Sequence, residues 1–257
     1  MRATDEEWEK VVKAGYALGL FQHCPDREVF RSPSGERILN GAGAVPKMKK
    51  GKRQQRFISI LCPLNAVSRK IEGDEGTLPY VGQVGLCLVP QDGVIVIDSE
   101  DLQSAFNLFE MPRGWRGMFV YRTPVHGSVL GLDNDDLAWV ALRTVPMGWL
   151  SAVGVVQQAI RTLAFDMADL PRDREIQKHQ ELAEGERYLL YLDSVDQLRP
   201  LRKELAEISQ GVPSAEHLRF KKKCEELGLP TNEGKVIAGA FLGLSKADSW
   251  TVRRASS

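Results

Sequence analysis

Apolar and polar residues follow two periods along this chain, one typical of helices and one typical of strands. The helical period predicts an amphipathic helix over residues 5–18, with Thr4 or Asp5 as its N-terminal cap. It also predicts a long apolar helix over residues 151–166 and two further helices over residues 198–209 and 216–228.

Two apolar runs lead directly into acidic residues. The β-branched run 94–97 predicts a buried strand that delivers Asp98 and Asp101 at its C-terminal end. The run 189–192 leads into Asp193 and Ser194, which favour a turn over a strand interior. We therefore expect a carboxylate at a hairpin tip, a rigid and open position that suits a metal ligand. The alternative is an ordinary buried strand that ends in Asp.

The remaining pattern predicts a mixed fold. We expect two short strands around the turn in residues 28–38, and further strands over 118–122, 137–143 and 236–244. The polar composition of residues 168–187 predicts an exposed insertion. From residue 245 onward we expect a frayed tail. The order of elements predicts an α+β fold, with a central antiparallel sheet and helices packed on one face. Two strand-borne acids, one from each half, can meet on such a sheet.

Composition narrows the class of protein. The residues are 43% apolar and 26% charged, which is ordinary for a soluble globular protein, and no apolar run predicts a membrane span. The formal net charge is zero, so any attraction to nucleic acid must be local. The four cysteines form no C-x-x-C pair, which predicts reduced thiols in an intracellular protein of the cytoplasm or nucleus. The four histidines have no zinc spacing.

One stretch is strongly basic. It predicts a β-hairpin with a cationic tip, and it contains Lys47, Lys49, Lys50, Lys52, Arg53 and Arg56 with no acid among them. Such a hairpin is either a solvated turn or a phosphate clamp for nucleic acid or a nucleoside triphosphate. Arg56 opens the following strand, so its guanidinium can be held in place.

Over about residues 39–243, several stretches together resemble the reverse transcriptases of retroviruses and long-terminal-repeat-type retroelements. Residues 101–106, Asp-Leu-Gln-Ser-Ala-Phe, look like the first catalytic motif, and residues 191–194, Tyr-Leu-Asp-Ser, look like the Tyr-x-Asp-Asp signature. Residues 145–149, Val-Pro-Met-Gly-Trp, with Gln157 further on, look like the motif that supports template and nucleotide. Residues 228–235 look like the later palm segment.

The resemblance implies a right-hand polymerase fold. An N-terminal helix and hairpin would occupy residues 1–38, the fingers residues 39–92 and the palm residues 93–244, with no thumb or ribonuclease H segment in the sequence. The implied activity extends a primed RNA or DNA template with deoxynucleoside triphosphates. Two Mg²⁺ ions would assist the in-line displacement at phosphorus. The chain would act alone or beside further domains of a polyprotein.

The resemblance also implies roles for individual residues. Asp101 and Asp193 would be the catalytic metal ligands, with Ser194 and Asp196 as lesser ligands and Asp98 as the alternative to Asp101. The nucleotide-binding set would be Lys49, Arg56, Phe106, Met147, Gly148, Gln157 and Lys235. The nucleic-acid-binding set would be Lys47, Lys50, Lys52, Arg53 and Trp149. Phe106 would block a ribose 2′-hydroxyl; its alternative role is that of a core phenylalanine.

Two departures from the family pattern keep a second hypothesis open. Ser194 stands where the family has its second Asp, and a hydroxyl brings no charge to a metal site. The sequence also shows no thumb that would hold a duplex. The alternative is therefore a catalytically inactive or domesticated nucleic-acid-binding remnant of the same fold.

Overall fold

The structure is a computed structural model that describes residues 4–49, 51–180, 184–232, 237–244 and 250–253. The chain divides into two units, Met1–Ile71 with Phe106–Ala152 and Glu72–Ala105 with Val153–Ser257. Helices are combined with several antiparallel sheets, which agrees with the predicted α+β class. Within the described ranges, no helix has the length and hydropathy that crossing a membrane requires.

The described part of the chain contains the following helices and strands. In chain order they are α1 (Asp5–Ala17), β1 (Phe21–Cys24), β2 (Gly41–Lys49), β3 (Lys52–Ile60), α2 (Cys62–Val67), β4 (Gly93–Asp101), β5 (Val125–His126), β6 (Leu137–Leu142), α3 (Ala152–Arg161), β7 (Arg187–Tyr191), β8 (Ser194–Arg202), α4 (Lys203–Ile208), α5 (Ala215–Glu226), β9 (Ile237–Leu244) and β10 (Trp250–Arg253). Short 3₁₀ turns lie at Asp26–Glu28, Glu75–Thr77, Val81–Leu86, Ala105–Asn107, Arg113–Phe119, Gly127–Leu130 and Arg172–Arg174.

The first unit holds a three-stranded sheet in the order β1-β6-β5 and the separate β2–β3 hairpin. A capping box starts α1, in which the side chains of Thr4 and Glu7 bond each other's backbone N–H. Aromatic rings then anchor the base of the hairpin to this helix. Their centroids lie 5.3–6.5 Å apart in a cluster of Trp8, Phe21, Phe57 and Tyr121.

The second unit is built on one five-stranded antiparallel sheet in the order β10-β9-β4-β8-β7. The predicted strand 94–97 is confirmed as part of β4, in which Ile95, Val96 and Ile97 are buried. α5 packs on this sheet, since His217 Nε2 lies 3.3 Å from the buried Glu100 Oε2 on β4. The long apolar helix is also confirmed: α3 continues as a π-helical turn over Thr162–Met167.

The segment that precedes β4 crosses α3 at glycines. A Cβ on Gly154 would lie 1.7 Å from the carbonyl oxygen of Glu72, so the two backbones touch. A buried ion pair lies next to this crossing. The Arg161 guanidinium binds both oxygens of Glu175 at 2.8 Å and also bonds Asp74.

Some predicted strands are shorter or absent. Residues 28–38 contain only an isolated bridge between Arg31 and Arg37, because a 3₁₀ turn and a tight loop occupy most of this stretch. Residues 118–122 do not form a regular strand. The 3₁₀ turn Arg113–Phe119 covers the first two of them, and Val120 and Tyr121 form isolated bridges. The helix predicted from residue 198 begins only at Lys203, because β8 continues to Arg202.

Two segments predicted to be exposed or frayed are integrated into the second unit. In residues 168–187, Leu170, Glu175 and Ile176 are buried, because the charge of Glu175 is neutralised by the Arg161 pair and Ile176 joins the core of the sheet. Part of the predicted tail forms β10, which pairs with β9. Residues 245–249 and 254–257 lie outside the described residues.

Because of the backbone contact at Gly154, we expect alanine to destabilise the helix at this position, against its usual helix propensity. Gly154→Ala should destabilise the protein by about 1–3 kcal/mol through overpacking, although alanine is the better helix former by about 1 kcal/mol. Urea unfolding followed by circular dichroism measures the change. The matched control is Gly76→Ala, where a Cβ meets no atom within 4 Å; equal stability of the two variants would contradict the contact.

Candidate functional site

Two segments of the second unit meet where β4 ends and the β7–β8 hairpin turns. The antiparallel register places Asp101 directly opposite Ser194. The backbone N–H of Leu102 donates to the carbonyl oxygen of Asp193 at 2.6 Å. Asp193 lies in the two-residue turn between β7 and β8, the predicted hairpin tip. The two residues predicted to be catalytic therefore lie on adjoining backbone segments.

Alternation along the strands sorts the polar side chains onto opposite faces of the sheet. Ser99 lies opposite Asp196 in the same register that pairs Asp101 with Ser194, so all four side chains share one face. The Ser99 hydroxyl donates a hydrogen bond to the Asp196 carboxylate. We call these four residues the acidic patch. α5 contacts the opposite face of the sheet.

Asp101 is buried and is fixed by the segment that follows α5. Asn232 Nδ2 donates to Asp101 Oδ1 at 2.8 Å, and the Asn232 backbone N–H donates to the Asp101 carbonyl at the same distance. Next to it, the Gln103 N–H donates to the Pro230 carbonyl at 2.8 Å. The structure thus places the start of the predicted later palm segment, residues 228–235, beside the first catalytic motif.

The surroundings of Asp196 in the acidic patch disfavour the ionised form of its carboxyl. Burial raises the pKa of the Asp196 carboxyl, and the negative charge of Asp101 raises it further. The Ser99 hydrogen bond and the nearby His217 oppose this rise in the pKa without cancelling it. A cation bound at the patch would relieve the same electrostatic cost.

Asp98, the predicted alternative to Asp101, lies on the other face of the sheet and is completely buried. Its carboxylate forms an ion pair with Arg199 at 2.9 Å and accepts from the backbone N–H groups of Ser214 and Gly239 at 3.1 and 2.7 Å. These contacts tie together β4, β8, β9 and the start of α5. Asp98 therefore has a structural role and does not face the acidic patch.

The hairpin turn has an unusual backbone, and a buried amide spans it. Leu192 has a φ of 53°, which is rare for a residue with a side chain. Gln157, predicted to support the nucleotide, is completely buried on α3. Its Nε2 donates to the Leu190 carbonyl and its Oε1 accepts from the Leu192 N–H, both at 3.0 Å. Its amide is thus engaged by the hairpin backbone.

The predicted basic hairpin is confirmed as β2–β3 in the first unit. The strand register puts Lys47, Lys52 and Arg56 on one face and Arg53 on the other, and all four are exposed. Lys49 pairs with Lys52 in the register. The predicted residues Lys50 and Lys235 lie outside the described residues.

Arg56 also contacts the predicted template and nucleotide motif of the first unit. Its guanidinium lies 3.0 Å from the sulfur of the exposed Met147. Gly148 has a φ of 96°, which only glycine adopts readily. Asn65 on α2 spans this turn, since its Nδ2 donates to the Gly148 carbonyl at 2.8 Å and its Oδ1 accepts from the Leu150 N–H at 3.1 Å.

Trp149 and Phe106 contribute less exposed surface than their predicted roles suggest. The Trp149 indole is buried, and its ring packs at 5.5 Å from Phe119 and 6.1 Å from Trp115. A base could stack on this indole only if the cluster opened. Phe106 is half-buried within the first unit.

The acidic patch offers a limited set of metal ligands. Among the described residues, no three His, Cys, Asp or Glu side chains lie together as a metal-binding group. Magnesium commonly binds through one or two carboxylates plus waters and substrate phosphates, without a complete protein cage. Asp101 and Asp196, which share one face of the sheet, fit that kind of partial site, and the adjacent hydroxyl of Ser194 is a neutral oxygen donor.

Sequence reasoning missed three polar residues of these sites. Ser99 has a recognisable signal, because it lies two positions before Asp101 on the same strand and so shares its face. Asn65 and Asn232 bond Gly148 and Asp101, which lie far from them in sequence. No local sequence pattern predicts these contacts.

Comparisons with known proteins do not assign the chain. No protein-family model matches the sequence, and no curated protein matches it.

The two faces of β4 predict different outcomes for two similar substitutions. Asp98→Asn should cost about 3–5 kcal/mol of folding free energy, because it leaves Arg199 buried without its charge partner. Asp101→Asn should cost less than Asp98→Asn, since the asparagine keeps a side-chain oxygen that can accept from Asn232. Chemical denaturation of both variants measures this difference, and a reversed order would contradict the assignment of faces.

The raised pKa of Asp196 predicts a pH-dependent gain from neutralisation. An acid whose folded-state pKa is raised loses stability as pH rises from its unfolded pKa through its folded pKa. Without divalent ions, Asp196→Asn should therefore raise the melting temperature at pH 7 and have little effect near pH 3, where both states are protonated. Calorimetry at the two pH values measures this, with Asp173→Asn on an exposed turn as the control. A variant less stable than wild type at pH 7 would refute it.

Proposed function

We propose that this protein catalyses magnesium-dependent nucleotidyl transfer, extending a primed RNA or DNA template with deoxynucleotides. In this proposal the second unit corresponds to a polymerase palm, and the β2–β3 hairpin of the first unit to polymerase fingers. The partners are a template-primer, deoxynucleoside triphosphates and further domains of a polyprotein where these are present.

One observation carries the proposal: the end of β4 and the β7–β8 turn bring Asp101 and Asp193 together on a single sheet. The two predicted motifs are about ninety residues apart in sequence, yet the Leu102 N–H bonds the Asp193 carbonyl. The sequence resemblance predicts this convergence. The adjoining segment at Asn232 belongs to a third stretch of the same resemblance.

The residues of the second unit have the chemistry that the reaction needs. Bound Mg²⁺ would stabilise the attacking 3′-oxygen and the leaving pyrophosphate. Asp101 and Asp193 would hold the metal, and Asp196 would add charge to the site that lacks the second signature Asp. Asn232 would keep the Asp101 carboxylate oriented, because it bonds both its side chain and its backbone.

For the first unit we propose binding of phosphates and nucleotides. The exposed face with Lys47, Lys52 and Arg56 can bind phosphate groups, for which arginine supplies bidentate hydrogen bonds. Met147 and Gly148 would contact a nucleotide at the turn that Asn65 spans. Phe106 would favour deoxynucleotides by excluding a ribose 2′-hydroxyl.

A specific observation also favours a second candidate, a non-catalytic nucleic-acid-binding protein of the same fold. Ser194 removes one charge from the signature position, and the described residues contain no three-member metal-binding group. Such a protein would use its basic hairpin to bind nucleic acid and would not incorporate nucleotides. The two candidates differ in magnesium-dependent incorporation.

Primer extension on an RNA template, over a magnesium titration, tests the proposal. We expect low incorporation by the wild-type chain, because Ser194 leaves the site short of charge. Ser194→Asp should lower the magnesium requirement by about tenfold, the scale of one partner in a metal site.

The control for this experiment is Asp193→Asn in the Ser194→Asp background, which should abolish the gain. Asp196→Asn in the wild-type background should reduce incorporation if Asp196 supplies the missing charge. Absence of incorporation by both the wild type and Ser194→Asp, with retained binding to the template-primer, would contradict the enzyme and support the binding protein.

A further inference from the structure

A side-chain amide closes each of the two motif turns in the same way, and the amide of Gln157 is buried while that of Asn65 is half-buried. In the second unit, the Gln157 amide donates to the Leu190 carbonyl and accepts from the N–H two residues later, at Leu192. In the first unit, the Asn65 amide donates to the Gly148 carbonyl and accepts from the N–H two residues later, at Leu150. A primary amide that bonds a carbonyl and the N–H two residues on reproduces the pairing of a neighbouring strand.

Each bridged segment includes a residue in the left-handed backbone region. Gly148 adopts its φ of 96° at little cost, because it has no Cβ. Leu192, with a φ of 53°, carries a penalty of roughly 1–2 kcal/mol for the same region. The surrounding structure must therefore impose the conformation of Leu192. The Gln157 amide is well placed to do so, since it bonds the Leu192 N–H directly.

Gln157 itself is firmly held. Its side chain is completely buried, and its Nε2 also lies 3.4 Å from the Thr77 hydroxyl. Thr77 belongs to the segment whose backbone touches α3 at Gly154, three residues before Gln157. The amide therefore projects from a rigid helix face, and the neighbouring Gln158 on the same helix is exposed.

We infer that Gln157 is a positioning residue: it fixes the left-handed Leu192 backbone and thereby sets where Asp193 presents its carboxylate. Asp193 directly follows Leu192, and its carbonyl accepts from Leu102 at 2.6 Å, so a shift of the turn moves both the carboxylate and the link to β4. The inference rests on the proposed function only for the metal that Asp193 would bind. The clamp on the turn stands on the hydrogen bonds alone.

The test follows the turn and the metal site separately. Gln157→Met keeps an unbranched side chain of similar length and removes both polar atoms, and Gln158→Met is the matched control. Amide hydrogen exchange measures the Leu192 N–H, and calorimetric titration with Mn²⁺ measures metal affinity. Gln157→Met should speed Leu192 exchange by about tenfold and weaken Mn²⁺ binding by about 10- to 100-fold. Gln158→Met should change neither quantity.

A rescue distinguishes positioning from general stability. Glycine adopts a positive φ without penalty, so Leu192→Gly in the Gln157→Met background should recover part of the lost Mn²⁺ affinity. Should Gln157→Met fail to fold, Gln157→Glu keeps the acceptor for the Leu192 N–H and removes the donor to Leu190. It should keep the Leu192 N–H protected and retain Mn²⁺ binding, because the hydrogen bond that fixes the turn is kept.

Three results would overturn the inference: unchanged Leu192 exchange in Gln157→Met, unchanged Mn²⁺ affinity despite faster exchange, or weakened Mn²⁺ binding in Gln157→Glu while the Leu192 N–H stays protected. A wild-type chain that binds no Mn²⁺ would instead contradict the proposed function. The exchange rates would then decide the clamp alone: faster Leu192 exchange in Gln157→Met supports it, and unchanged exchange overturns it.

Discussion

The register of β4 on β8 is the constraint on which the candidate site depends. It pairs Asp101 with Ser194 and Ser99 with Asp196, and so collects the acidic patch on one face. Side chains alternate with a period of two, so a slip of one residue would turn Asp101 toward α5. The buried contacts of Asp98 with Arg199 and with two backbone N–H groups oppose such a slip, because it would turn Asp98 away from them.

The same parity separates two acids that the sequence presents as equivalents. Asp98 and Asp101 are three positions apart, an odd spacing that puts them on opposite faces of one strand. Asp98 pairs with Arg199 and accepts from two backbone N–H groups. Its charge is neutralised there, and the contacts link β4 to β9 and to the start of α5. Asp101 accepts from the Asn232 amide, and its negative charge acts on Asp196 in the acidic patch. Stability and candidate chemistry are thus divided between the two faces of β4.

Local patterns were enough to predict α1, α3, the basic hairpin and the β7–β8 hairpin with Asp193 at its tip. They could not assign the faces of β4, because Ile95, Val96 and Ile97 are all buried and no polar alternation marks the core side. They also failed for residues 168–187, where Glu175 is buried only because Arg161, from a different element, neutralises it. The roles of Gln157 and Asn65 depend on long-range contacts that no local pattern contains.

Two energetically unfavourable features lie at the end of the sheet where β4 meets the β7–β8 turn. Leu192 holds a backbone conformation that its side chain disfavours, and Asp196 is half-buried near a second carboxylate that raises its pKa. A glycine at the turn would remove the first cost, and an asparagine on the strand would remove the second. A divalent cation would reverse the second cost, because it favours the ionised form of both carboxylates. In the proposed cation site, the bound ion would therefore offset the cost that the charge of Asp101 imposes on ionised Asp196.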